Sequence, residues 1–182
     1  MKARNALRAA TADGHRRVDA AFSSFDLAGR EGYAGFLAAQ AAAFLPIEAA
    51  LDAAGAASLL DDWPERRRGE ALRADLAALN VTLPELLPAP SFLSGKAALF
   101  GAIYVLEGSR LGGAVLKRAV PRDFPRRFLD ARQPAGSWRK LLQSLDEHLT
   151  RQGDLDAAAH AAKEVFARFE AGAKAQLEQY AA

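Results

Sequence analysis

The sequence predicts an all-α protein of one domain, residues 1–182. Three observations carry this. Apolar residues recur at three- and four-residue steps along most of the chain, and no alternating stretch is long enough for a strand. Of the 182 residues 43 are Ala, which loses no side-chain entropy in a helix, while Val and Ile are scarce. A chain of this length, 51% hydrophobic and 25% charged, suits one globular core.

The elements follow in order. A first helix is expected over about Lys2–Phe22, with Leu7, Thr11, His15, Val18 and Phe22 on one face. Leu27-Ala28-Gly29 ends it. A second runs from about Glu31 to Ala54 with the stripe Tyr33, Leu37, Gln40, Phe44, Ile47 and Leu51. Pro46 lies inside it and should bend it. A third spans Arg66–Leu79, with Leu72, Leu76 and Leu79 inward. Pro84, Pro88 and Pro90 make 80–94 a loop, with at most one helical turn near Glu85–Leu87. A glycine-rich helix runs from Ser94 or Gly95 to Arg118. A short one sits near 122–131, Ser137 suits the cap of the next, and helices over about 138–151 and 154–180 complete the chain.

Composition excludes several chemistries. There is no cysteine, so disulfides, thiolate zinc sites and cysteine nucleophiles are absent. A formal charge of +2 gives no basis for nucleic-acid binding. The basic runs Glu65-Arg66-Arg67-Arg68 and Pro121–Arg127 read as solvated surface. Residues 1–20 lack the apolar core of a secretory leader, and no stretch approaches the roughly 18 consecutive apolar residues of a membrane span. A cytoplasmic protein without a membrane partner is expected.

Two features stand out against this background. The first is a histidine. His148 lies in a charged run and His160 among alanines, and none of the three histidines completes a Glu-x-x-His iron motif. His15 differs: it occupies the apolar stripe of the first helix, with Asp19 one turn later and Arg8 two turns earlier. It is either a core histidine satisfied by a hydrogen bond or an imidazole ligand to iron, oriented by a nearby carboxylate. The second feature is Gly108, Gly112 and Gly113, crowded into six positions of a helical pattern. Each costs about 0.5–1 kcal/mol relative to Ala. Either helices pack closely there, or bare backbone lies against a flat ligand. Together the two features suggest a sandwich, with imidazole on one side of a planar group and backbone on the other. Iron porphyrin fits that description.

Here the chain resembles the haem oxygenases, especially the bacterial ones found near bacteriophytochromes. Leu7-Arg8-Ala9-Ala10-Thr11 with His15 and Asp19 is similar to the family's Leu-x-x-x-Thr-x-x-x-His segment. The run from Tyr104 through Glu107-Gly108-Ser109-Arg110-Leu111-Gly112-Gly113 is similar to its distal-helix motif, and Phe166-x-x-Phe169 is a weaker third match. The resemblance implies haem between a proximal N-terminal helix and a kinked, glycine-rich distal helix, with His15 as the axial iron ligand. It implies cleavage of haem to biliverdin, CO and iron, with electrons from a reductase or ferredoxin and a bacteriophytochrome as biliverdin acceptor. Haem is then substrate and cofactor. Asp19, Gly108, Ser109, Gly112, Gly113 and Phe166 would contact it, and Gly108, Ser109 and Gly112 would shape the catalytic side. Arg8 is the candidate for one propionate, and Arg139, with Lys140, for the other.

The chain departs from the mammalian pattern in carrying Ser109 where those enzymes have an aspartate. Proton delivery would then rest on water, Ser109 or groups such as Arg110. A tyrosine that contacts a propionate in some members is replaced, at Ile103. The competing reading is a haem-binding or carrier protein on the same fold without turnover. A protein-interaction module on the bare scaffold is less consistent with His15 and the glycine set. The thiamin-degrading relatives of this fold need a cysteine the chain lacks.

Overall fold

A computed structural model of the chain describes residues 2–132 and 135–181. Its elements are all helical: α1 (Lys2–Phe22), α2 (Arg30–Ala53), a 3-10 turn (Ala56–Ser58), α3 (Trp63–Arg66), α4 (Gly69–Ala78), α5 (Gly95–Leu116), α6 (Arg127–Asp130), α7 (Ser137–His148) and α8 (Gln152–Ala181). No strand occurs among the described residues.

Helix α2 forms the centre. Its residues are buried on nearly every side, from Tyr33 through Leu51, with Glu48 the charged exception. The long α8 packs across α1, α2 and α5. Small residues let these backbones come close. A Cβ added to Gly101 of α5 would stand 2.0 Å from the Ala158 carbonyl oxygen of α8, and one added to Gly172 of α8 would stand 2.8 Å from the Ala39 oxygen of α2. By length and composition α2 and α5 would also suit a bilayer, but 78% of the apolar window of α2 is buried inside the protein. It is apolar all round because the core surrounds it.

Pro46 shows how the loop after α4 is anchored. Proline lacks an N–H, so the Ala42 carbonyl loses its partner inside α2. The backbone N–H of Leu87 fills that place at 3.0 Å. The proline-rich 80–94 segment therefore crosses α2 with no helical turn of its own.

Three expectations need correction. The helix expected over Arg66–Leu79 is two helices, broken at Arg67, whose backbone is extended. The cause is tertiary: the Glu48 carboxylate takes the N–H groups of Arg68 and Gly69 at 2.7 and 2.9 Å and starts α4 there. The basic run 65–68 is not a solvated face, because Arg66 and Arg68 are 2% and 4% exposed. Lastly, Ser137 does not cap α7. Gly136 holds that place with φ +80°, and Ser137 is the first helical residue, its hydroxyl buried without a partner.

The short α6 is likewise held from outside. Both oxygens of the buried Asp75 accept from its first turn, from Arg127 N–H at 3.0 Å and Phe128 N–H at 2.8 Å. Burial still outweighs those bonds and raises the Asp75 carboxyl above its usual range.

Candidate haem cleft

An open cleft of about 590 Å³ lies between α1 and α5, with α7 and α8 at its sides. That is within the range of small-molecule and cofactor sites. Its walls are largely apolar, with Phe22, Phe36, Phe128, Phe166 and Phe169 among them.

From α1 the cleft receives Arg4, Arg8, Thr11, His15, Arg16 and Asp19. Apart from Arg16, which flanks His15, their spacing of three and four residues places them along one strip of the helix. The His15 side chain is 63% exposed, because its ring stands in the cleft and not in the core. The core-histidine reading therefore fails. Asp19 Oδ2 lies 2.8 Å from His15 Nδ1, which in the neutral ring assigns the proton to Nδ1 and leaves the lone pair on Nε2. The Phe166 ring packs beside the imidazole, centroids 5.7 Å apart. Thr11 faces the cleft from a buried position but returns its hydroxyl to the Leu7 carbonyl at 2.8 Å.

From α5 come Tyr104, Val105, Gly108, Ser109, Leu111, Gly112, Gly113 and Leu116. The glycines answer the question the sequence left open. A Cβ on Gly112 would meet nothing within 4 Å, and one on Gly108 would just reach the Trp138 ring at 4.0 Å. One on Gly113 would make ordinary contact with a Leu129 methyl at 3.5 Å. No helix requires these glycines for packing. What their missing side chains leave open is the cleft.

Ser109 has its hydroxyl proton engaged by protein. Its hydroxyl donates to the Leu106 carbonyl at 2.7 Å and accepts from an Arg68 N–H at 2.7 Å. Arg110 does not reach the cleft. It is buried, and its guanidinium donates to Glu107 at 2.9 Å, to the Ala131 carbonyl at 3.1 Å and to the Arg66 carbonyl.

The structure redistributes the other residues. Arg8 lines the cleft, but Arg139 is exposed and does not. On α7 the inward positions are Ser137, Leu141 and Leu145, so the next residue, Trp138, reaches the cleft while Arg139 turns to solvent. Lys140 pairs with Asp61 at the surface. Ile103 is fully buried in the core. The aromatic hydroxyl in the cleft belongs instead to Tyr104, half-buried, stacked on Trp138 at 5.9 Å and with its phenol pKa raised by burial. Sequence reasoning missed Tyr104 by one position and missed Arg4, Trp138 and Arg68 altogether. The first two carry a weak signal, since Arg4 precedes Arg8 by one turn and Trp138 opens a helix.

Among the described residues no group of three His, Cys, Asp or Glu is placed to hold a metal. His148 sits against Phe100 outside the cleft with Nδ1 at the Ser144 carbonyl, and His160 is exposed. One imidazole facing an open, Cβ-free helix surface suits an iron already chelated in a planar ring.

Comparison with solved structures defines the fold. The fold matches a haem oxygenase from Neisseria meningitidis, solved in its NO- and CO-bound forms, with TM-score 0.82 over 96% of this chain and 90% of that one, at 22% identity. No family model matches the chain. Among curated proteins it is 34% identical over 113 residues to the heme oxygenase of Xanthomonas campestris, 59% of this chain and 67% of that protein. It is 32% identical over 170 residues to heme oxygenase PigA of Pseudomonas aeruginosa, 87% of this chain and 85% of that protein. The chain belongs to the haem oxygenase family.

Proposed function

We propose that the cleft binds haem with His15 on one face and the Gly108–Gly113 surface of α5 on the other, and that the protein opens the macrocycle to biliverdin. Membership of the family makes it a haem-degrading enzyme. The single observation that carries the site is the pairing of an exposed imidazole, its Nδ1 held by Asp19, with a helix face that no packing contact keeps free of side chains.

Bound haem supplies the iron and is itself the bond-breaking substrate. The chain's own residues do the rest. Asp19 would hold the His15 ring by Nδ1 and so leave Nε2 as the nitrogen available to the iron. Gly112, with open space where a Cβ would stand, leaves room above the ring for dioxygen and water. Phe166, Phe169 and Phe36 give the ring an apolar bed.

Arg4 and Arg8, both on α1 and lining the cleft, would be the cations for the propionates, and Tyr104, stacked on Trp138, adds a hydroxyl to the same cleft. Charge-assisted pairs of this kind fix orientation, and so select which bridge of the macrocycle faces the reaction. Ser109 serves as part of the wall, since its proton is already given to Leu106. Electrons would come from a reductase or ferredoxin, and biliverdin would pass on to an acceptor such as a bacteriophytochrome.

Haemin added to the protein, followed by ascorbate or a reductase system in air, tests the reading. The Soret band of a histidine-ligated complex should decay with growth of biliverdin or its ferric complex. A stable haem complex that yields neither product would favour the carrier.

A further inference from the structure

The cleft contains one cation whose sequence context, a run of three arginines, pointed to solvent. Arg68 is buried yet lies on the cleft wall. Two rings hold its guanidinium, with centroids at 4.9 Å for Phe44 and 4.8 Å for Phe128. It donates to the Leu106 carbonyl and to Ser109 Oγ, each at 2.7 Å, and its Nε–H is buried with no partner. No carboxylate contacts this guanidinium among the described residues. Glu107 and Glu48 favour its charge from a distance, but Glu107 pairs directly with Arg66 and Arg110, and Glu48 spends its oxygens on backbone N–H groups.

Arg66, two residues earlier, shows what a buried guanidinium normally receives. Asp62 and Glu107 both sit 2.8 Å from its nitrogens. Buried charges are ordinarily paired in this way, because an unpaired one forfeits hydration for nothing. Burial and the like charge of Arg110 outweigh the more distant Glu107 and Glu48 carboxylates and push the Arg68 pKa down to about 9, which still leaves it charged at neutral pH.

We infer that Arg68 is a positioning residue of the haem cleft: it holds Ser109 as an acceptor and supplies a fixed positive charge to the distal wall, favouring an anionic or electron-rich group bound opposite His15. The inference rests on the haem reading above. Arg68 thus carries the polar function that the position of Ser109 suggested, with the serine as its anchor.

Azide and imidazole binding to the ferric haem complex separate charge from shape, since azide is an anion and imidazole is neutral. Arg68→Gln keeps a donor for Ser109 and loses the charge. It should take up haemin with the wild-type histidine-ligated spectrum, bind imidazole as wild type does, and bind azide about tenfold more weakly. Arg68→Lys should recover most of the azide affinity. Azide affinity in Arg68→Gln within about twofold of wild type would overturn the inference, as would an equal fall for both ligands. Arg68→Met, of similar bulk, carries the same expectation should Arg68→Gln fail to fold. If neither variant takes up haemin, Arg68 is structural and the inference is wrong. A wild-type protein that shows no histidine-ligated haemin spectrum would sink the haem reading itself, before any variant is made.

Discussion

Helix α5 uses glycine in two different ways along its length. At its first half Gly101 lets the α8 backbone come so close that a Cβ would overlap the Ala158 carbonyl. At its second half Gly112 faces open space. The same residue type thus closes one crossing and opens one cleft. Charge divides the same way. Toward the packed side, Arg66 and Arg110 share the Glu107 carboxylate, whereas Arg68 at the cleft has rings, a carbonyl and a hydroxyl. The packed half satisfies itself. The cleft half carries open space and a buried guanidinium with no carboxylate in direct contact, the two things a ligand would fill.

Removing Glu107 should have the largest effect on stability. Glu107→Ala takes from the buried Arg110 its carboxylate partner and leaves Arg66 with Asp62 alone, and breaking such a buried pair costs about 3–5 kcal/mol. Urea unfolding should show that loss; a change below about 1 kcal/mol would mean the network is solvated. Gly101→Ala comes next. Its methyl would meet backbone, which cannot swing aside, so overpacking of about 3 kcal/mol is expected. For a chain of this size that lowers Tm by about 6–12 °C.

The contrast is sharpest in Gly112→Ala. A helical Gly→Ala change with free space should raise stability by about 0.5–1 kcal/mol, while the new methyl intrudes on the ring and weakens haemin binding. A folded, stabilised variant with unaltered haemin affinity would return Gly112 to a scaffold role.

Much of the fold could be read from the chain because local pattern and tertiary structure agree there. α1 has the expected bounds, and Leu72, Leu76 and Leu79 point inward as their spacing implies. The distal glycines stood out against 43 alanines, a chain in which a helical glycine needs a reason. What stayed hidden depends on contacts remote in sequence. Glu48 breaks the third helix from 20 residues away. Three consecutive arginines have no periodicity that marks two of them as buried. Tyr104 and Ile103 are neighbours, and only the helix rotation against α7 and α8 decides which one faces the cleft.

His15 decides whether the cleft holds haem as proposed. Haemin should give wild-type protein a histidine-ligated absorption spectrum, His15→Ala should lose it while remaining folded, and added imidazole should restore it. An unchanged spectrum in His15→Ala would place the iron ligand elsewhere and contradict the account.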